Sequence, residues 1–278
     1  MQRSCLLALA PLLFSCTGTT GYELVSFYAV GEGPADAQRG QPYAFTSGRF
    51  EISLTKAVMH VGAIYLNQSL PTSGAAEGTC TLPGTYVGEV RAGRDIDMLD
   101  PTPQPFPALP GGSPGDGSTI PAVVGQVWLS GPDVNSTAAQ NAPQTILPTV
   151  LLVEGSATDP TDAKTFPFAG SISIQPTGAP ANKALPGANP ICQQRIVSQI
   201  PADITLSQSG TLILHLDPKP LFTRVDFSEF ANPISTDPLL YGFQDQGMMD
   251  SDEPSIALYA NLRSSGPVYQ FDWKQTGQ

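Results

Sequence analysis

Arg49-Phe-Glu-Ile-Ser-Leu-Thr-Lys-Ala-Val-Met-His-Val-Gly-Ala-Ile-Tyr-Leu66 is the stretch that decides the fold class. In Arg49–Lys56, Phe50, Ile52 and Leu54 alternate with Glu51, Ser53 and Thr55, the pattern of a half-buried strand. Ala57–Leu66 follows as a nearly continuous apolar run, which predicts a strand covered on both faces.

Outward from this stretch the same grammar repeats. Further strands are expected at Tyr22–Val30, Tyr86–Arg91, Val123–Ser130, Thr149–Glu154, Phe168–Gln175, Cys192–Gln199, Thr211–Leu216, Arg224–Phe230 and Val268–Trp273. Clusters of Gly, Pro, Asn and Asp separate them, and these residues favour turns. Short strands at this spacing predict an all-β fold, a β-sandwich with long Pro/Gly-rich loops. A short helix or turn, and at most one helix in the chain, is expected near Ser255–Arg263, where Ile256, Leu258, Tyr259 and Leu262 fall at helical spacing between a Pro and a Gly. Residues 101–121 hold seven prolines and four glycines and read as a loop or strap inserted into one domain spanning 22–278.

Composition narrows the function classes. Of 278 residues, 27 are Gly and 28 are Pro, and only 13% are charged, against a usual ~25%. A coiled coil and a highly charged disordered chain are both excluded. The net charge of −11 has the wrong sign for a phosphate backbone, so no nucleic-acid partner is expected.

The N-terminus carries the most specific signal. Arg3 precedes a ten-residue, largely apolar stretch, Cys5 to Phe14, too short for a membrane span of ~20 residues but matching a secretory signal. It ends Leu13-Phe14-Ser15-Cys16, which resembles the lipobox of bacterial lipoproteins, with Phe14 a mild departure from the small residues common there. The resemblance implies cleavage after residue 15, acyl chains on Cys16 and a tether over 16–21. Buried acyl methylenes at ~0.8 kcal/mol each would then hold the protein on a membrane. Thr17 follows the cysteine where Asp favours inner-membrane retention in Gram-negative bacteria, so the expected location is the cell envelope at the outer membrane.

With Cys5 removed and Cys16 acylated, Cys80 and Cys192 remain. In an exported protein they most simply form one disulfide; the other reading is two separate thiols.

Several residues carry candidate chemistry. The only two histidines, His60 and His215, both lie in predicted strands. If those strands were neighbours, the imidazoles would share a transition metal with Asp217 as a further ligand; the plainer reading is a structural histidine in each strand. Met59 points to the other face from His60. Asp245, Asp250, Asp252 and Glu253 suit a calcium loop or a solvated acidic loop, without EF-hand spacing. Asp95, Asp97 and Asp100 form a second acidic group, and either cluster would supply a glycosidase pair if spaced correctly. Tyr269, Phe271 and Trp273 share one strand face, either as an aromatic surface for a glycan or protein or as core packing. Gly111-Gly-Ser113-Pro-Gly115 matches G-x-S-x-G in letters but lacks the strand and helix that make Ser113 a nucleophile.

The segments Leu54-Thr-Lys-Ala-Val-Met-His-Val-Gly-Ala-Ile-Tyr65 and Leu216-Asp-Pro-Lys-Pro-Leu-Phe-Thr-Arg-Val-Asp-Phe227 look like those of uncharacterised bacterial lipoproteins with all-β ectodomains. That resemblance covers about a quarter of the chain and implies no catalytic residues. The expected role is non-enzymatic: a lipid-anchored binding or structural protein for an envelope protein or glycan. A periplasmic metal-binding protein using His60 and His215 is the alternative, and a carboxylate-dependent hydrolase of envelope or extracellular polymer is the second.

Overall fold

The computed structural model describes residues 25–68, 86–108, 115–117, 122–131, 149–174, 195–207, 209–244 and 252–275. Within them the chain forms two sheets packed over one apolar core, an all-β sandwich. The larger sheet runs β12 (Arg195–Leu206), β9 (Ala122–Ser130), β4 (Ala63–Asn67), β5 (Tyr86–Val90), β8 (Gly115–Gly117), β1 (Val25–Glu32), β13 (Gly210–Leu216), β16 (Tyr269–Gln275), with β7 (Gln104–Pro105) alongside β1. The smaller runs β14 (Pro233–Thr236), β15 (Leu239–Phe243), β11 (Lys164–Ser173), β10 (Thr149–Asp159), β3 (Phe50–Val61), β2 (Tyr43–Ser47), with β6 (Arg94–Asp97) beside β3. One α-helix, α1 (Glu253–Leu262), follows β15 among the described residues.

The deciding stretch folds differently from its reading in one respect. Residues 50–61 are a single strand, and its alternation changes parity midway. Leu54 faces Gly155 and Lys56 faces Glu154, so Thr55 is the extra residue of a β-bulge. The bulge turns Phe50, Ile52 and Leu54, and then Ala57, Met59 and Val61, onto the same buried face. Val58 and His60 are thereby left outward. Only Ala63–Asn67 is buried on both faces. Between the two lies Gly62, where the chain leaves the smaller sheet and enters the larger one.

Residues 101–121 are more than a strap. Gln104 and Pro105 pair with Gly31 and Val30, and Gly115–Gly117 fills the slot between β5 and β1. Pro is confined to edges and very short strands because it cannot donate to a ladder. The strand expected at Arg224–Phe230 is absent. Arg224 adopts a φ of 61°, and the Asp226 carboxylate accepts the Ser228 N–H at 3.0 Å, closing a 3-10 turn at Phe227–Glu229. This turn and its neighbour at Lys219–Phe222 deliver Phe222 and Phe227 into an aromatic core with Phe168 and Phe243.

The two ends of the larger sheet approach each other. The Trp273 indole N–H on β16 donates to Ser207, just beyond β12, at 3.1 Å. Edges that face each other are shielded from pairing with another chain.

Candidate functional site

The site is built where β1, β13 and β16 lie side by side. Leu212, Leu214 and Leu216 of β13 point into the core, so His215 points outward. Parallel pairing sets Glu32 of β1 in register with His215, and antiparallel pairing sets Gln270 of β16 opposite it on the other side. Asp272, two residues along the same face of β16, completes the row. His215 Nδ1 lies 2.9 Å from Glu32 Oε1, and Nε2 lies 2.9 Å from Asp272 Oδ2. A cleft of about 330 Å³ opens over these groups, with Pro34, Pro101 and Pro267 as apolar walls.

Asp217 also lines the cleft, and its Oδ1 accepts the Lys219 N–H at 2.9 Å. Burial pushes its carboxyl pKa above the ordinary value. Beside it, Asp36 accepts from the Tyr43 hydroxyl at 2.7 Å and from Lys219 Nζ at 2.9 Å. Those bonds, that from Lys219 foremost, hold Asp36 below the usual carboxylate range. The Tyr43 phenol is pushed up to about 12, chiefly by burial. Hydrogen bonds to Tyr43 and Asp36 raise the Lys219 ammonium as well. Lys219 is therefore committed to Asp36, and the cleft itself keeps three carboxylates against one imidazole. Such a surface favours a cationic group. Its lining among the described residues includes no Ser, Thr, Cys or Lys; its carboxylates and imidazole can pair with ions and exchange protons.

The other candidate residues are dispersed. His60 projects from the outer face of the smaller sheet and His215 from the outer face of the larger, so the sandwich itself separates them. His60 is held by Asp95, its cross-strand neighbour on β6. The structure does not bring the two histidines to one site. Among the described residues no three His, Cys, Asp or Glu side chains are grouped to hold a metal.

Asp97 accepts the Leu99 N–H, and Asp100 accepts from Thr102 and pairs with Arg39 at 3.2 Å. Asp252 caps α1 by accepting the Ser255 N–H at 3.1 Å, with Glu253 in the first turn, where a negative charge favours the helix dipole. Asp245 and Asp250 lie outside the described residues, as do Cys16, Cys80, Cys192 and Ser113. The aromatic surface is corrected to core. Tyr269 and Phe271 are buried, and Trp273 packs edge-on to Phe27 at 5.4 Å.

Glu32 and Asp272 escaped the sequence reading. Asp272 carried a signal, since it alternates with Tyr269, Phe271 and Trp273 and so had to face outward. Glu32 carried none, because its place beside His215 depends on pairing between strands far apart in the chain. No helix among the described residues is long and apolar enough to cross a membrane. The sequence matches no family model and no curated protein, and no solved structure matches the chain.

Proposed function

We propose that this is a lipid-anchored binding protein of the cell envelope, held at the outer membrane through Cys16, without catalysis of its own, and presenting the His215 cleft to a partner that carries cationic groups. The lipobox-like segment supports the anchor. The convergence of Glu32, Asp217 and Asp272 on one proline-walled cleft carries the binding role. A net charge of −11 extends the same polarity to the whole chain and steers cations toward it. A disulfide between Cys80 and Cys192 belongs to the same picture of an exported domain.

The test is two measurements on the full chain. Replacing Cys16 with Ser should move the protein from the membrane to the soluble fraction; continued pelleting with membranes overturns the anchor. Titration with oligolysine at low salt should show binding that Glu32→Gln combined with Asp272→Asn abolishes. Equal affinity in the double variant overturns the cleft as the binding site.

One observation favours a second reading. Asp217 is a carboxyl group held toward its protonated form beside other carboxylates, as a glycosidase acid must be. Release of reducing ends from envelope polysaccharide, lost in Asp217→Asn, would replace the binding role with a hydrolase.

A further inference from the structure

We propose that His215 is a proton-operated latch across the end of the larger sheet: doubly protonated it ties Glu32 of β1 to Asp272 of β16, and on losing one proton it keeps Glu32 and releases Asp272. The inference rests on the ring geometry and on the unequal exposure of the two carboxylates, and it stands independently of the binding reading.

Both ring nitrogens lie 2.9 Å from carboxylate oxygens. A neutral imidazole has one N–H and one lone pair, and a lone pair set against an ionised carboxylate repels it. Nε2–Asp272 has hydrogen-bond geometry and Nδ1–Glu32 is an ion-pair contact, and both are attractive only while both nitrogens carry protons. When one proton leaves for solvent, one arm must open.

Exposure decides which. The Glu32 side chain is 20% exposed and that of Asp272 is 73% exposed. Water resolvates Asp272 at little cost, whereas Glu32 left without its donor keeps a poorly hydrated charge. The proton therefore stays on Nδ1. Nε2 becomes the lone-pair nitrogen, the reverse of the preference of a free histidine.

The surrounding groups leave this order intact. Ile213 on the same strand, and Gln104, Pro105 and Gln270 on β7 and β16, carry no charge. Asp217 follows on the same face of β13 and Lys274 lies two residues beyond Asp272; Asp116 pairs with Ser26 near the other end of β1. Asp100, next to Pro101 in the cleft wall, is tied to Arg39, and Lys219 to Asp36. Once released, Asp272 and the Nε2 lone pair face the cleft together, so losing the proton readies it for an external cation.

The experiment is ¹⁵N NMR of the labelled full chain as pH is raised, with His60→Gln identifying the signals of the only other imidazole. At low pH both His215 nitrogens should resonate as N–H. At high pH Nε2 alone should shift to the lone-pair region while Nδ1 stays. A shift of Nδ1 instead, or averaging of both nitrogens as in an unrestrained ring, overturns the latch. Asp272→Asn supplies a second reading: its amide N–H can donate to Nε2, so the arm should persist at high pH. Loss of that contact in the variant also counts against the proposal. No ligand enters the measurement, so failure to bind oligolysine and failure of the latch are separate results.

Discussion

The amide of Gly62 donates to the carbonyl of Ser130 at 2.7 Å, and this bond marks where one strand of the smaller sheet becomes a strand of the larger. Residues 50–61 and 63–67 are nearly continuous in sequence yet serve opposite layers. The two sheets are joined covalently at their shared corner. The bulge at Thr55 completes the arrangement, because without it the second half of β3 would present His60 to the core and Met59 to solvent.

That bulge makes a prediction about glycine. A Cβ at Gly155 would lie 2.4 Å from the Ser53 carbonyl oxygen, a backbone atom that cannot swing aside. Gly155→Ala should cost about 1–3 kcal/mol, the range for overpacking. Gly48 has a φ of 58° and open space around it, so Gly48→Ala should cost about 1–2 kcal/mol from backbone strain alone. Gly48→Asn should recover part of that loss, since Asn tolerates this conformation, while Gly155→Asn should recover nothing. Urea midpoints of the four variants decide it; recovery at position 155 would mean the bulge is not crowded.

How far the fold was legible depends on how local its causes are. Alternation in Phe50, Ile52 and Leu54, and again in Leu212, Leu214 and Leu216, needs nothing beyond neighbouring residues, and both strands were readable. The helix was readable too, through its spacing and its flanking Pro and Gly. Thr55 gives no local sign that it is a bulge, because the bulge exists only against β10. Likewise Arg224–Phe230 has the β-branched and aromatic content of a strand, but Asp226 offers its backbone a turn bond that competes with a ladder. The candidate site was half legible. His215 and Asp217 declared themselves by residue type, whereas Glu32 joins them only through a parallel pairing fixed by tertiary structure.

Asp252 separates a structural from a metal-binding role for the acidic segment. As a helix N-cap it should tolerate Asn, also a good cap, and lose about 1 kcal/mol on replacement by Ala. A calcium ligand would behave differently: Asn would weaken calcium-dependent stabilisation. Thermal melts of the wild type, Asp252→Asn and Asp252→Ala, each with and without calcium, should rank the variants the same way in both conditions. A calcium-dependent rise in the wild type that Asp252→Asn removes would restore the calcium loop.

The thiols offer a test in the region outside the described residues. If Cys80 and Cys192 are bonded, the loop they close exceeds a hundred residues, and the chain-entropy model gives about 4–5 kcal/mol. Cys80→Ser should melt well below the parent protein and expose one new thiol under denaturing titration. Two free thiols in the parent, beyond any at Cys16, would show that the bond does not form.

Two neighbouring aspartates should respond to pH with opposite signs. Asp36 is held below the ordinary carboxylate range by Lys219 and Tyr43, so it contributes stability that is present above the ordinary value and lost as pH falls through its lowered one. Asp36→Asn should therefore destabilise the protein at pH 7, and the penalty should shrink as pH falls below the ordinary carboxylate value. Asp217 is raised by burial, so the native state holds its proton more tightly than the unfolded chain does. Its ionised form opposes folding at pH 7, and the opposition fades as pH falls through the raised value. Asp217→Asn keeps an oxygen to accept the Lys219 N–H while removing the charge. That variant should match or exceed the parent at pH 7 and lose its advantage in acid. Urea unfolding of both variants at pH 7 and in acid, below the ordinary carboxylate value, checks the signs. If Asp217→Asn loses as much at pH 7 as Asp36→Asn does, the Asp217 carboxylate is stabilised by its surroundings and the account of the cleft floor is wrong.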